Sequence, residues 1–417
     1  MRNLNIVFLV ILLIFLTGCA KKPDKTVLTF TSWGSKSEIA ILRPLIEEFE
    51  QQNPDISVEF IHTPENYFRK LHLLVASNLT PDVVFINNIY GALYAESGVF
   101  LDLSEFMKKD EISEQDFYQV SLDTFRREGK LYAIPRDVSN LVIYYNKDIF
   151  DQYGVPYPQE DWTYEDFLKT AKQLTQDVNG DGRTDIFGIS FQEALLFWLP
   201  YLMSDGGGVL SPDTKDIIIG KPASIEAIQF YSDLRNRYHV APTKSEAGSA
   251  TMAQFFMQGK LAMHLDGRWF VPIYRKEIDF NWDVATFPHG KASSITAGDA
   301  SGWAISAKTK HPEEAWRFVS FLASKTSIEK FTKSGLIVPA RVDVANSPVF
   351  LDKSQPPEHP EVFITTMERS VPTPVTKNYQ EITDILQNAL EPVWSGRLSA
   401  RQAVDEKLVD RLQKTLE

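Results

Sequence analysis

The segment that most constrains the fold is residues 132–148, in which two apolar runs flank a short polar stretch (YAIPRDVSNLVIYYNKD). Pro135 lacks a backbone donor and biases the preceding residue toward extended geometry, so we expect the first strand to stop there. The polar stretch holds Arg136, Asp137 and Asn140. Two extended segments with such a break are typical of a chain that crosses between two lobes, and polar residues at a crossing face the cleft where small ligands bind. An ordinary strand–turn–strand within one domain is the alternative.

The N-terminus has the pattern of an exported lipoprotein. Residues 6–16 form an uninterrupted apolar run of signal-peptide length, too short to span a bilayer comfortably. The sequence LTGC at 16–19 resembles the bacterial lipobox, and Cys19 is the only cysteine, so no intrachain disulfide is possible. We therefore expect a signal peptide at 1–18 and a lipidated tether at 19–25. The lipid would anchor the protein to a membrane, outside the cytoplasm, without a spanning helix.

Charge and missing motifs restrict the function. A formal net charge of −12 over 417 residues argues against nucleic acid and anionic lipid surfaces as partners. The chain has no G-x-S-x-G elbow, H-E-x-x-H pair, P-loop or G-x-G-x-x-G, and its seven histidines are scattered. Catalytic signatures are therefore scarce and no cofactor is indicated, although the 55 acidic residues leave a glycosidase with two facing carboxylates open.

Apolar periodicity in the first part of the chain alternates between two and 3.6 residues, which predicts strands and helices in turn. The predicted strands are 27–32, 56–61 and 83–86, and the predicted helices are 39–51 and 67–76. This alternation indicates an α/β fold with mostly parallel sheets. Ligands bind beyond the carboxyl ends of parallel strands, so Trp33, Asn88 and Tyr90 are expected to face one crevice.

Residues 177–185 (DVNGDGRTD) match the first nine positions of an EF-hand calcium loop. The predicted ligands are Asp177, Asn179, Asp181, the Arg183 carbonyl and Asp185. The twelfth position is Gly188, so the usual bidentate acid is missing. A polar turn held by Asx hydrogen bonds is the alternative. We expect any bound calcium to be structural.

Short motifs follow one another in a specific order along the chain. They are PDVV at 81–84, YAIP at 132–135, YNKDIF at 145–150, WTYEDF at 162–167, NGDG at 179–182, GKLAM at 259–263, GRW at 267–269 and EEAW at 313–316. Each motif alone is weak. Together they resemble the extracellular solute-binding proteins of ABC transporters, in the sugar-binding branch that includes maltose-binding-like proteins, and the resemblance covers essentially the whole mature chain.

The resemblance implies a periplasmic-binding-protein-like fold of two α/β lobes, each a mostly parallel sheet flanked by helices, that close by a hinge. The crossings would lie near 137–140, 299–303 and 338–342. One lobe would combine 26–138 with 302–338, and the other 139–301 with 339–417. The protein would be a monomer that captures a mono- or oligosaccharide and delivers it to the permease subunits of an importer.

A sugar presents an apolar C–H face and a rim of hydroxyls, which suit aromatic rings and planar polar groups respectively. Trp269 is the strongest stacking candidate because it holds the family's Gly-x-Trp position. The predicted ligand-binding residues are Trp33, Asn88, Tyr90, Arg136, Asp137, Asn140, Trp198, Trp269, Asp299, Trp303 and Arg341.

Three alternatives remain open from the sequence. A sensor subunit that presents ligand to a membrane receptor would share every feature above. A lipid-anchored glycoside hydrolase would need two facing carboxylates, and Asp137 with Asp299 is the first pair to consider. A polyol phosphate or a peptide would be a non-sugar ligand, and Arg136 with Arg341 would suit the phosphate.

Overall fold

Two β-sheets organise the protein. The computed structural model describes residues 25–293 and 295–417, so the predicted signal peptide and the lipidation site Cys19 lie outside the described residues. Within these ranges the strands form a six-stranded sheet, a four-stranded sheet and a two-stranded hairpin. Helices cover the sheets, which confirms the predicted two-lobe α/β architecture.

The strands alternate with helices through most of the chain. The strands are β1 Thr26–Ser32, β2 Ile56–His62, β3 Val83–Asn87, β4 Arg126–Arg127, β5 Lys130–Leu131, β6 Ile134–Ser139, β7 Leu141–Asn146, β8 Phe187–Ile189, β9 Leu261–Gly267, β10 Trp282–Ala285, β11 Asp299–Ile305 and β12 Val338–Pro339. The helices are α1 Lys36–Gln52, α2 Tyr67–Ala76, α3 Asn88–Glu96, α4 Ser104–Lys109, α5 Gln119–Phe125, α6 Lys147–Tyr153, α7 Tyr164–Leu174, α8 Leu195–Ser204, α9 Pro222–Asn236, α10 Lys244–Ala247, α11 Met252–Met257, α12 Val271–Glu277, α13 Pro312–Leu322, α14 Lys325–Lys333, α15 Val342–Ala345, α16 Glu361–Glu368, α17 Tyr379–Trp394, α18 Ala400–Ala403 and α19 Glu406–Gln413.

Both sheets mix strand directions. The larger sheet has the order β12-β6-β11-β3-β1-β2, in which β1 is parallel to β2 and β3. Strand β11 is antiparallel to β3 and β6, and β12 is antiparallel to β6. In the smaller sheet, β10-β7-β9-β8, only β8 and β9 are parallel. The prediction of mostly parallel sheets is therefore wrong, because parallel neighbours need a helical crossover and the strands that connect the lobes lack one.

Each sheet has its own hydrophobic core. Residues from 28–134 and 300–344 pack around the larger sheet, and residues from 141–297 and 375–412 pack around the smaller one. A third cluster joins Val138 and Val338 of the larger sheet to Val142 of the smaller sheet. The lobe limits given above, 26–138 plus 302–338 and 139–301 plus 339–417, stay a prediction.

The crossing at 132–148 differs from its prediction in one respect. Pro135 lies inside β6 and does not end it, and Asn140 alone separates β6 from β7. The proline is accommodated because the pairing of β6 with β11 shifts register between Ser301 and Gly302, opposite Pro135. A Cβ at Gly302 would lie 2.3 Å from the Ile134 carbonyl oxygen, so only glycine permits this approach.

Capping residues set several helix limits. Thr163 and Asp166 form a capping box at the start of α7. Near the C-terminus, α18 and α19 are separate helices, because the Asp405 side chain accepts from the Leu408 N–H and begins α19. Among the helices of residues 25–293 and 295–417, none has the length and apolar character that a membrane span requires.

Candidate functional site

A cleft runs between the two sheets as three adjoining cavities. The central cavity, of about 480 Å³, shares Trp33, Trp269 and Ser139 with a hinge cavity of about 180 Å³. It shares Thr373 and Tyr379 with an outer cavity of about 800 Å³. Because neighbouring cavities share lining residues, the three lie side by side along the cleft.

Two tryptophans line the central cavity from opposite lobes. Trp33 follows β1 and packs against Phe85 and Phe68, with ring centroids 4.3 and 5.2 Å away, yet it stays partly exposed. Trp269 follows β9 in the 3-10 turn Arg268–Phe270 and is also partly exposed. Both rings were predicted to contact ligand, and the structure brings both to the same cavity.

Gly267 determines where the Trp269 ring lies. A Cβ at Gly267 would lie 2.0 Å from the Cζ3 atom of Trp269, because the indole folds back over the glycine. Any larger residue at this position would displace the ring. The Gly-x-Trp motif is therefore a geometric unit, in which the absence of one side chain makes room for another.

Asp299 provides a carboxylate on the wall of the central cavity. Its Oδ1 accepts from the Thr373 N–H at 3.0 Å, and its Oδ2 accepts from the Thr373 hydroxyl at 2.8 Å. Burial raises the pKa of Asp299 to about 6, although hydrogen bonds from Thr373 and Asn88 oppose the rise. Asn88 is buried at the start of α3 and lines the same cavity. These two predicted polar residues therefore lie together.

Arg136 and Asp137 line the hinge cavity but are bound to protein groups. The Arg136 guanidinium pairs with Glu38 and, at 2.7 Å, with Asp137. Asp137 also accepts from the Ser301 N–H at 3.2 Å, and burial raises its pKa. Their polar atoms already satisfy one another across the base of the cleft. Both side chains line the hinge cavity, and contact with ligand hydroxyls stays a prediction.

Tyr90 lies behind the cavity wall. Its ring stacks on Phe68 with centroids 4.0 Å apart and planes inclined by 3°, and Phe68 lines the central cavity. Burial raises the pKa of Tyr90, and the charge of Asp384 on α17 adds to the rise. Direct ligand contact by Tyr90 stays a prediction, and Phe68 is a residue of the cavity that the sequence analysis missed.

Two predicted stacking residues belong to the cores. Trp198 is 1% exposed, packs against Trp394 and donates its indole N–H to the Glu193 carbonyl at 3.2 Å. Trp303 is also 1% exposed and packs between Phe85 and Phe331. Their predicted ligand contacts are wrong, because the helix and strand on which they lie direct these rings into the lobes.

Two predicted polar contacts are also wrong. Asn140 is buried at the crossing and donates its side-chain amide to the Phe363 carbonyl at 2.7 Å, so it stabilises the crossing. Arg341 pairs with Asp343 at 3.0 Å and lines a separate cavity of about 330 Å³ beside Trp316. It follows the edge strand β12, from which its side chain extends away from the cleft.

The outer cavity contains residues that the sequence analysis did not select. Glu96, Asp123 and Arg127 line it from one side, and Thr373 with Tyr379 line it from the other. The sequence signal for the second group is the pair of prolines in VPTPV at 371–375, since alternate prolines hold a loop extended. Nothing in the local sequence distinguishes the first group from ordinary surface charges.

The acidic loop at 177–185 is held by its own backbone. The Asp177 carboxylate accepts from the N–H groups of Gly180 and Gly182, each at 2.8 Å. Asp185 accepts from the Val178 N–H at 2.8 Å. These are the Asx hydrogen bonds of the alternative interpretation, and calcium binding by Asp177, Asn179, Asp181, Arg183 and Asp185 stays a prediction.

Another group with metal-like spacing lies in the second lobe. Ligand atoms of Asp283, Glu358 and His359 all lie within 4.8 Å of one another. Lys147 binds both Glu358 carboxylate oxygens at 2.9 Å, and His359 pairs with Asp283. Lys147 therefore neutralises the Glu358 carboxylate, and the Asp283 carboxylate is hydrogen-bonded by His359.

Comparison with known proteins is consistent with this geometry. A sequence model of the family described as bacterial extracellular solute-binding protein matches residues 33–328. The galactooligosaccharide-binding protein of Bacillus subtilis is 25% identical over 391 residues, which cover 90% of this chain and 86% of that protein. A maltooligosaccharide ABC transporter solute-binding lipoprotein of Streptococcus pneumoniae is 24% identical over 287 residues, or 67% of this chain and 64% of its own. The ABC substrate-binding protein Lmo0181 from Listeria monocytogenes, in complex with cycloalternan, has a TM-score of 0.84 and 28% identity, with coverage of 94% of this chain and 99% of that one.

Proposed function

This chain belongs to the bacterial extracellular solute-binding protein family, and we propose that it captures an oligosaccharide in the cleft and delivers it to the permease subunits of an ABC importer. The observation that carries the proposal is the pairing of Trp33 and Trp269 across the central cavity. Two partly exposed indoles on opposite lobes suit the two apolar faces of a sugar ring.

The polar groups of the cavity complement the rim of a sugar. Asp299 is an acceptor for sugar hydroxyls, Asn88 offers an amide, and Ser139 and Ser301 add hydroxyls. The central cavity is already in the usual size range for small-molecule sites. The adjoining outer cavity of about 800 Å³ supports an oligosaccharide in preference to a monosaccharide.

Like its relatives, the protein is a solute-binding protein and not an enzyme. The carboxylate pair considered for a glycoside hydrolase, Asp137 and Asp299, has two different environments. Asp137 is neutralised by Arg136, and Asp299 is bound by Thr373. Each carboxylate therefore has a structural partner of its own.

Closure of the lobes accounts for ligand capture in this proposal. Because β6 continues into β7 through Asn140 alone, a small backbone rotation there moves one sheet relative to the other. Ligand contacts with both Trp33 and Trp269 form only when the lobes approach, so the ligand favours the closed state. The closed face would then dock on the permease, whose ATPase is a separate subunit.

Calorimetric titration tests the sugar proposal. The chain from residue 20 onward is titrated with maltooligosaccharides, galactooligosaccharides and their monosaccharides. Stacking of one indole on a sugar face removes on the order of 100 Å² of apolar surface from water, worth about 2.5 kcal/mol. Trp269→Ala and Trp33→Ala are therefore each expected to weaken binding by about 60-fold.

The matched control is Tyr238→Ala, which removes a half-buried ring outside the three cavities that packs on Lys172. It is expected to leave affinity unchanged. Absence of binding across the panel, or tryptophan variants with wild-type affinity, would refute the proposal.

Membrane attachment at Cys19 is the second part of the proposal. It is supported by the LTGC sequence at 16–19 and by the apolar run before it. Cys19→Ala in the native host is expected to move the protein from the membrane fraction to the soluble fraction. Retention of the variant in the membrane fraction would show that another element anchors the protein.

A further inference from the structure

Arg268 is a buried cation that lies between Gly267 and Trp269 in the sequence. It is 3% exposed. Its guanidinium carbon lies 4.2 Å from the ring centroid of Phe350 and 5.0 Å from that of Phe363. The side chain is therefore enclosed by apolar rings, where an unpaired charge is costly.

Within residues 25–293 and 295–417, no protein group neutralises Arg268. Its Nε and Nη1 atoms are buried and have no hydrogen-bond partner. The buried arginines Arg136 and Arg235, in contrast, each pair with a carboxylate. Burial lowers the pKa of Arg268 to about 9, and the charge of Arg275 contributes in the same direction.

Arg268 lines a cavity of about 250 Å³ on the side of the molecule where α12 of the second lobe meets α14 of the first. Arg275 and Lys333 line the same cavity from these two helices. Asp352 is its one acidic lining residue, and that carboxylate accepts from the Ser354 N–H at 2.9 Å. Three cationic side chains and one anionic side chain therefore line this cavity.

We propose that this cavity binds a small tetrahedral oxyanion of the size of phosphate or sulfate, which pairs with Arg268 and is completed by Arg275 and Lys333. Arg268 also lines the hinge cavity, whereas Arg275 and Lys333 do not, so the anion lies outside the central cavity proposed for the carbohydrate. Guanidinium groups bind such oxygens through strong charge-assisted hydrogen bonds. Because Lys333 and Arg275 belong to different lobes, a bound anion bridges the lobes at a second point and favours the arrangement in which they are together.

Calorimetric titration with inorganic phosphate, in the absence of carbohydrate and at constant ionic strength with sodium chloride, tests the proposal. Wild-type protein is expected to bind one phosphate. Lys333→Gln, an exposed substitution that leaves the core intact, is expected to weaken binding at least threefold. Lys325→Gln on the same helix is the matched control, since Lys325 is not part of the cavity.

Arg268→Gln gives a second measurement. Removal of an uncompensated buried charge is expected to leave the melting temperature in phosphate-free buffer equal or higher, and to abolish phosphate binding. General stabilisation by phosphate as a salt acts equally on both proteins. The proposal is overturned if wild-type protein binds no phosphate, if Lys333→Gln and Lys325→Gln bind it alike, or if Arg268→Gln retains wild-type affinity. Because sugar is absent, none of these results bears on carbohydrate capture.

Discussion

Asp299→Asn is expected to stabilise the protein at neutral pH and to have no effect in acid. Asp299 lines the central cavity, and burial raises its pKa from 3.8 to about 6. Between these two values the folded state binds more protons than the unfolded state, so stability falls as pH rises through this window. Above pH 6 the folded state bears the full free-energy penalty of the charged Asp299 carboxylate. Below the pKa of the unfolded state this penalty is absent.

The size of the effect follows from the shift. Each pKa unit corresponds to about 1.4 kcal/mol, so a rise of roughly two units costs the folded state about 3 kcal/mol at neutral pH. Partial exposure of Asp299 to solvent in the cleft reduces this to about 2 kcal/mol. The neutral amide of asparagine avoids the penalty and still accepts a hydrogen bond from the Thr373 N–H.

Urea unfolding followed by tryptophan fluorescence measures this difference, with wild type and variant compared at pH 7.5 and at pH 4. The control is Asp166→Asn, because hydrogen bonds from Thr163 lower the pKa of Asp166. Asp166→Asn is expected to lose stability at pH 7.5, whereas Asp299→Asn is expected to gain it. An Asp299→Asn protein that is less stable than wild type at pH 7.5 would refute the reasoning.

Three further predictions separate core, network and loop residues. Trp198→Ala is expected to cost about 3–5 kcal/mol of unfolding free energy in urea titrations. Calorimetry should show unchanged sugar affinity, whereas affinity lost as in Trp269→Ala would place the ring in the cleft. Glu38→Gln leaves Arg136 with one anionic partner and is expected to cost about 3 kcal/mol in the same unfolding assay; an unchanged midpoint would show that the pair is dispensable. Millimolar calcium is expected to raise the melting temperature of wild type but not of Asp181→Asn. Equal responses of the two proteins would show that the loop at 177–185 is not the calcium site.

Local patterns in the sequence were sufficient for much of the fold. Strand β2 and helix α2 lie within a residue of their predicted limits, because alternation and helical periodicity are properties of short segments. Trp33 and Asn88 were found for a similar reason, since residues that follow buried strands in an α/β sheet meet at one edge. Local sequence patterns did not predict that β11 runs antiparallel to β3 and β6. The direction of this strand depends on the lobe from which the chain enters it.

The sequence by itself determined where many of the strands and helices form and which motifs place the chain in its family. The structure showed why Trp269 needs a glycine two residues before it. Tertiary structure decided which polar and aromatic groups remain available to a ligand. Trp198 and Trp269 are the same residue type, but one lies in a core and the other in the cleft. Arg136 is neutralised by Glu38, 98 residues earlier in the chain, whereas Arg268 has no such partner among the described residues. Neutralisation and burial depend on neighbours distant in sequence, so only the folded chain assigns them.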